Sequence, residues 1–209
     1  MICIIDYGIG NIQAFLNVYN RLGIDAKRAK NENDLKYATH LILPGVGHFD
    51  HAINKFNQSK IKKKLEELVL NSNIPLLGIC VGMQMLAEGS DEGVLPGLGW
   101  IPGRVRRFPE KDKSSNTPLP HMGWNNINIT KENILLTSLE QKFTQFYFLH
   151  SYYFDAGNFK KNILALSNYG INFTSIVSHK NIYGVQFHPE KSHKWGEQLL
   201  KNFSKIKNA

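Results

Sequence analysis

Short apolar runs alternate with amphipathic segments along the first ninety residues of the chain. The apolar runs predict buried strands at residues 2–6, 41–43 and 76–80, with a short further strand at 26–29. Apolar positions at helical spacing predict helices over residues 12–22, 49–56 and 61–70. Buried strands that alternate with helices are typical of an α/β fold built on a mostly parallel sheet with helices around it.

The pattern changes in the second half of the chain. Residues 89–103 are rich in Gly and Pro, which predicts a loop, and the polar residues 111–116 predict an exposed excursion. Strands of an antiparallel region are predicted at residues 100–108, 124–129, 146–154, 163–166, 175–178 and 182–187. A last amphipathic helix is predicted over 195–206. No repeat or linker divides the chain, so we expect one domain over residues 1–209.

One predicted strand stops at a cysteine, and a helix follows at once. Gly78 and Gly82 stand two residues on either side of Cys80, which matches the nucleophile elbow G-x-S-x-G with sulfur in place of oxygen. The tight turn leaves little room for a Cβ atom at its neighbours, and the N-terminus of a helix favours thiolate over thiol. We interpret Cys80 as a nucleophile. The alternative is an ordinary buried cysteine.

A cysteine nucleophile needs a base, and the base needs a group that orients it. His188 follows the predicted strand 183–187 and is separated from Glu190 by one proline. Since alternate residues of an extended chain face the same side, the side chains of His188 and Glu190 are predicted to project together. A carboxylate in that place fixes the imidazole tautomer and supports the imidazolium form. The alternative is a strand-end histidine next to a surface glutamate.

Acyl transfer also needs hydrogen-bond donors for an oxyanion. The N–H of Val81, the residue after the nucleophile, is one candidate. The turn at residues 44–47, Pro-Gly-Val-Gly, offers a second, because its glycines permit backbone orientations that aim an N–H group at the site. The same turn is equally consistent with a plain strand end.

Composition and charge remove several other classes of protein. The net charge of +8 invites a nucleic-acid interpretation, but the lysines are scattered over predicted amphipathic helices and no nucleic-acid motif accompanies them. No apolar run is long enough to span a membrane, and the N-terminus has no signal-peptide pattern. Two cysteines, Cys3 and Cys80, make no disulfide framework. We therefore expect a cytoplasmic protein that binds neither nucleic acid nor membrane.

Together these motifs resemble the class I, triad-type glutamine amidotransferases. The resemblance to the class rests on residues 78–84, Gly-Ile-Cys-Val-Gly-Met-Gln, and 185–190, Val-Gln-Phe-His-Pro-Glu. Other segments are similar to one branch, the glutaminase subunits of imidazole glycerol phosphate synthase, at residues 6–11, 44–47, 103–108, 120–125 and 150–153. The resemblance runs from the first strand to the last helix. It implies the flavodoxin-like fold of this class, with an added antiparallel region in the second half.

The resemblance also implies roles for individual residues. Cys80 corresponds to the nucleophile, His188 to the base and Glu190 to its orienting group. Backbone oxyanion donors are implied at Val46 and Val81. Contacts with substrate glutamine are implied at Gly45, Gly47, Gln84, Ser151 and Tyr152. A face toward a partner protein is implied at Asn11, His121, Met122, Gly123, Trp124 and Asn125.

The implied reaction is glutamine hydrolysis through a cysteinyl thioester, which yields glutamate and ammonia without a metal or organic cofactor. The implied partner is a (β/α)8-barrel cyclase that forms a heterodimer with the glutaminase. It receives the ammonia through a channel and makes imidazole glycerol phosphate and AICAR in histidine biosynthesis. An exposed Trp124 suits such an interface, whereas a core position is the default for a tryptophan.

Three other interpretations stay open on the sequence. A paralogous glutaminase could feed another synthase, such as one for nucleotide-sugar amination or amidination, and the mild departures at Val81 and His48 exclude neither partner. A stand-alone cysteine γ-glutamyl hydrolase is the second. A catalytically inactive binding module is the third, and the intact set of Cys80, His188 and Glu190 argues against it.

Overall fold

The computed structural model describes residues 1–109, 117–139 and 143–207, so the predicted excursion at 111–116 lies outside the described residues. Strands β1 to β12 lie at Ile2–Ile5, Ala26–Ala29, His40–Gly45, Leu76–Cys80, Arg104–Arg107, His121–Asn126, Asn128–Ile129, Gln145–His150, Tyr152–Asp155, Ile163–Tyr169, Ile171–His179 and Ile182–Val185. Helices α1 to α5 lie at Ile12–Arg21, Phe49–Gln58, Lys62–Glu66, Val81–Met85 and His193–Phe203. Helix α3 continues into a π-helical turn at Glu67–Asn71.

The central part of the sheet is parallel, in the strand order β2-β1-β3-β4-β12. Strand β4 is buried along its whole length, as expected for an apolar strand in the middle of a covered sheet. Gly45 of β3 pairs with Cys80 of β4, and Val185 of β12 pairs with Ile79. The carboxyl ends of these three strands therefore lie side by side, where open α/β sheets bind their ligands.

Beyond β12 the sheet continues antiparallel through β11, β10 and β7. Strand β9 joins it through β11 and carries β5 on its other side. The α/β class with an antiparallel addition is thus confirmed. Helices α1 and α5 pack against each other, and α2 packs against α3 and α4. In the part of the chain that the structure describes, no helix is long and apolar enough to cross a membrane.

A separate two-stranded ribbon is formed by β6 and β8. The prediction of one aromatic strand over residues 146–154 is therefore wrong. The strand is interrupted at Ser151. Before it, β8 pairs with β6 in the ribbon, and after it, β9 pairs with β5 in the main sheet. Aromatic residues fill both strands, so the residue pattern carries no sign that the chain changes sheets. The predicted strand over 182–187 is also shorter, ending at Val185.

Candidate active site

The turn between β4 and α4 is built on close approaches of backbone to backbone. A Cβ atom on Gly82 would collide with the carbonyl oxygen of Leu43, and one on Gly45 would collide with the main-chain nitrogen of Gly82. Cys80 has a φ of +54°, which is unfavourable for a residue with a side chain and persists where surrounding contacts enforce it. The strand, turn and helix have the geometry that the glycine spacing predicts.

The thiol of Cys80 lies at the floor of a cavity and is 2% exposed. Its Sγ atom is 3.8 Å from the carbonyl oxygen of Leu149, and the side-chain amide of Gln186 donates to Sγ over 3.8 Å. The imidazole of His188 lines the same cavity and interacts with Cys80 closely enough to have its pKa raised by it. The predicted nucleophile and base are therefore brought together, from the carboxyl ends of neighbouring strands.

His188 and Glu190 form a buried pair. Nδ1 of His188 is 2.8 Å from Oε1 of Glu190, and the two side chains are 4% and 3% exposed. Burial by itself lowers the pKa of His188, but the hydrogen bonds with Cys80 and Glu190 and the charges of both partners raise it to about 10. At neutral pH the raised pKa of His188 therefore favours the imidazolium form.

The ribbon strand β8 fixes the main chain of His188. The N–H of His188 donates to the carbonyl of Tyr147 over 2.9 Å. The hydroxyl of Ser192 donates to the carbonyl of His188 over 2.6 Å and accepts from the N–H of Tyr147 over 3.0 Å. Since the carbonyl of Leu149, on the same strand, lies 3.8 Å from the Cys80 thiol, β8 contacts both the predicted nucleophile and the predicted base.

Most of the predicted glutamine contacts line the cavity above Cys80. Predicted residues in its lining are Val46, Gly47, Val81, Gln84, Ser151 and Tyr152. Gly45 lies behind this lining, buried against Gly82. The side-chain amide of Gln84 donates to the carbonyl of Tyr152 over 3.0 Å and to Oε1 of Gln186 over 3.1 Å. Helix α4 and strand β9, which are far apart in sequence, therefore form one wall of the cavity.

Several residues of the site were missed by the sequence reasoning. The additional lining residues are Glu92, Leu149, His150 and Lys191. The carboxylate of Glu92 accepts a hydrogen bond from the N–H of Phe49 over 2.9 Å. Glu92 lies in a loop rich in Gly and Pro, and the pattern of apolar and polar residues does not predict the path of such a loop. Gln186 could have been identified from the sequence, because a polar residue within an apolar stretch is expected to be buried and then needs a hydrogen-bond partner. It is fully buried in the structure.

The segment predicted to face a partner alternates between two sides of β6. Met122 and Trp124 point outward and are 65% and 46% exposed, whereas His121 is 3% exposed. His121 therefore lies inside this chain, not on its surface. The exposure of Trp124 shows that the default core position is wrong for this tryptophan, and its ring stacks on that of His193 at 5.3 Å.

Asn11, which lies between the carboxyl end of β1 and helix α1, caps that helix. Its side chain accepts a hydrogen bond from the N–H of Ala14 over 3.1 Å, and the residue is exposed. A structural role as N-cap therefore accompanies any contact that Asn11 makes with a partner. Within residues 1–109, 117–139 and 143–207, no group of three His, Cys, Asp or Glu side chains could hold a metal ion.

Comparison with known proteins gives a consistent result. The family described as glutamine amidotransferase class-I matches residues 3–206 of the chain. The chain is 53% identical over 206 residues to the imidazole glycerol phosphate synthase subunit HisH of Bdellovibrio bacteriovorus, and 49% identical to the HisH subunit of Leptospira borgpetersenii. Both alignments cover 99% of this chain and 100% of the relative. A crystal structure of a glutamine amidotransferase, 19% identical, superposes with a TM-score of 0.71 over 97% of this chain and 96% of that chain, which shows the shared fold.

Proposed function

The chain belongs to the class I glutamine amidotransferase family, and from this premise we propose that it is the glutaminase subunit of imidazole glycerol phosphate synthase in histidine biosynthesis. It hydrolyses glutamine and delivers ammonia to a cyclase subunit. The observation that supports this best is the grouping of Cys80 with the hydrogen-bonded pair His188 and Glu190 at one cavity, in a chain that aligns with HisH relatives over nearly its whole length.

Catalysis begins with the Cys80 thiolate, which attacks the side-chain carboxamide carbon of glutamine. The carbonyl oxygen takes up the negative charge and is held by the N–H groups of Val46 and Val81. Val81 is the first residue of α4, where an N–H group has no acceptor within the helix. The His188 imidazolium gives its proton to the departing amino group, so ammonia leaves and a thioester remains on Cys80.

Neutral His188 then takes a proton from water, and the hydroxide attacks the thioester carbon. Collapse of this second tetrahedral species breaks the bond to sulfur, releases glutamate and restores the thiolate and imidazolium. Glu190 keeps one ring nitrogen protonated throughout, since its oxygen accepts from Nδ1 at 2.8 Å. Nε2 is therefore the atom that exchanges protons in both halves of the reaction, and no metal or organic cofactor takes part.

Glutamine is held by groups on several loops around the cavity. The carboxylate of Glu92 supplies the negative charge that an α-ammonium group requires in a cavity of this kind. Gln84 and the backbone at Ser151 and Tyr152 form the opposite wall. Gly45 and Gly47 hold the turn that carries the Val46 N–H group beside the reacting carbonyl.

The partner is a (β/α)8-barrel cyclase, and the two subunits form a heterodimer. Its docking face on this chain consists of the outward-facing residues Met122 and Trp124, with Asn11 and the rest of residues 121–125 supporting it. Leu149 of the ribbon is also exposed and lines the cavity, so the docking face adjoins the mouth of the active site. Ammonia formed at Cys80 then enters the barrel without meeting bulk water, where it would be protonated.

Residues 1–209 form a single glutamine amidotransferase domain in this proposal. It acts in the cytoplasm on glutamine and binds neither nucleic acid nor membrane. The net charge of +8 is then a property of solvated helix faces.

The test is to measure glutamine hydrolysis by the chain alone and with the barrel cyclase from the same organism, together with formation of imidazole glycerol phosphate. We expect slow hydrolysis alone and a large increase in the complex. Cys80→Ala should abolish glutamine-dependent synthesis while the same complex still uses added ammonium salts. Full turnover without a partner would instead support a stand-alone γ-glutamyl hydrolase, and stimulation only by a different synthase would support a paralogous ammonia supplier.

A further inference from the structure

Two buried histidines that the proposed mechanism does not use meet at the wall of the glutamine cavity, which His150 lines. Nδ1 of His121, on β6, is 3.0 Å from Nε2 of His150, on β8. The ring of His121 is stacked between Phe148 and Tyr169, with centroid distances of 4.9 and 4.0 Å. Both imidazoles are nearly inaccessible to solvent. Burial away from water favours the uncharged rings and lowers the pKa of His121 to about 4 and that of His150 to about 3.

The hydrogen bonds around these rings fix the position of every proton. Nδ1 of His150 is 2.8 Å from the carbonyl oxygen of Tyr152, which can only accept, so Nδ1 carries the proton. Nε2 of the neutral ring must then accept, and Nδ1 of His121 donates to it. Nε2 of His121 accepts in turn from the amide of Asn125 over 3.2 Å. The second hydrogen of that amide is donated to the carbonyl of Asn168 over 2.8 Å.

These hydrogen bonds run from Asn125 through the two histidines to the carbonyl of Tyr152, which lies at the active site. The carbonyl of Tyr152 receives a second hydrogen bond from the side-chain amide of Gln84 over 3.0 Å. Gln84 also donates to Gln186, whose amide donates to the Cys80 thiol. Tyr152 is the first residue of β9, just after the chain leaves the ribbon at Ser151. Two side-chain donors thus hold this carbonyl where the chain passes from one sheet to the other.

We propose that His150, supported by His121 and Asn125, is a positioning residue for glutamine hydrolysis, because its Nδ1–H group fixes the Tyr152 carbonyl and through it the side chain of Gln84. This role rests on the proposed function of the site. His150 gives no proton to the substrate. It sets the wall of the cavity against which glutamine is aligned for attack by Cys80.

Three full-length variants separate positioning from stability. His150→Phe keeps an aromatic ring among its neighbours and removes the donor to Tyr152. His150→Asn places an amide N–H group near the position of Nδ1 and restores that donor. The double variant His121→Phe/His150→Phe replaces both members of the pair with apolar rings. Replacing both partners of a buried hydrogen bond costs little stability compared with orphaning one of them.

Each variant is assayed for two rates of Cys80 modification, alone and in the cyclase complex. Iodoacetamide is small and reports thiolate reactivity alone, whereas the diazoketone analogue of glutamine must first occupy the cavity. For His150→Phe we expect the analogue to react at least about tenfold more slowly, with little change for iodoacetamide. His150→Asn should recover most of the loss. The double variant should match or exceed the melting temperature of His150→Phe and still react slowly with the analogue.

The outcomes separate a failure of the positioning role of His150 from a failure of the proposed glutaminase function. If the analogue fails to modify the wild-type chain in the complex, the proposed function fails and this role fails with it. If the analogue modifies the wild type and His150→Phe equally fast, or if the double variant recovers both stability and reactivity, the positioning role alone is wrong. Nitrogen-15 spectra of labelled histidine give a further check. A His150 ring protonated at Nε2 and not at Nδ1 at neutral pH would overturn the role.

Discussion

Nδ1 of His188 lies 2.8 Å from Oε1 of Glu190 although the two residues are not part of an extended strand. Residues Pro189–Lys191 form a 3-10 turn, and His188 precedes it with extended backbone angles. The two side chains therefore meet by coming around a turn, not by alternation along a strand. The predicted contact between His188 and Glu190 is present, but the prediction that an extended chain brings the two side chains together is wrong.

Glu190→Gln should lower kcat for glutamine hydrolysis by at least about 100-fold, because an amide neither holds the imidazolium nor fixes its tautomer. Loss of the carboxylate also lowers the pKa of His188, since Glu190 is one of the groups that raise it. Protonated His188 is needed to release ammonia, so the alkaline limb of the kcat profile should move to lower pH. A profile measured in the cyclase complex checks both effects, and an unmoved alkaline limb would contradict the assignment of His188.

Much of the site could be predicted from the sequence because its groups lie at the ends of strands with strong local patterns. The spacing of glycines around Cys80 predicts the turn, and the short separation of His188 and Glu190 allows few arrangements. Glu92 and His150 could not be predicted in the same way. The place of Glu92 depends on the path of a loop, and that of His150 depends on a ribbon that pairs outside the main sheet. The pattern of apolar and polar residues predicts neither feature.

Gly82→Ala should destabilise the fold by at least about 2 kcal/mol, because the new Cβ atom would overlap the carbonyl oxygen of Leu43 and the backbone there has no room to shift. Gly157→Ala is the matched control. Unlike Gly82, Gly157 has a positive φ, of +51°, but nothing lies within 4 Å of an added Cβ, so only a backbone cost of about 1 kcal/mol is expected. Urea unfolding of the two variants measures the difference, and equal losses would refute the close-packing account.

Acid should destabilise the wild type partly through the two buried histidines. The folded-state pKa values of His121 and His150, about 4 and 3, lie below the ordinary value of 6.5. The unfolded chain therefore binds more protons below about pH 6.5, and the free energy of unfolding falls from there toward pH 4. The double variant His121→Phe/His150→Phe lacks this contribution, so its free energy of unfolding should decline less over the same range.

Urea midpoints from about pH 7 to about pH 4.5 test this expectation. His51→Gln, which removes an exposed imidazole, is the control and should follow the wild-type curve. A double variant that loses stability with acid as steeply as the wild type would show that the two rings are not held neutral by burial.

Trp124→Ala should weaken binding of the cyclase by about 2 kcal/mol, which is about 30-fold in Kd. The indole is half exposed, rests on His193 and stands beside Tyr147 on the outer face of the ribbon. Tyr37→Ala, at the opposite, amino-terminal edge of the parallel strands, removes another exposed aromatic side chain and should leave Kd unchanged. Titration calorimetry gives both values. Equal affinities for the two variants would place the docking face elsewhere.

The contacts of Gly45 and Gly82 have a mechanical consequence for any protein that docks at this edge. Added Cβ atoms at both positions would overlap the neighbouring main chain, so the end of β3, the turn at Cys80 and the start of α4 are packed without spare space. The close packing ends at Gly45. Val46, the next residue, is 43% exposed. Under the proposed function, a partner that contacts Val46 can reorient the oxyanion donor while the thiolate keeps its place, so activity can be switched without disrupting the catalytic residues.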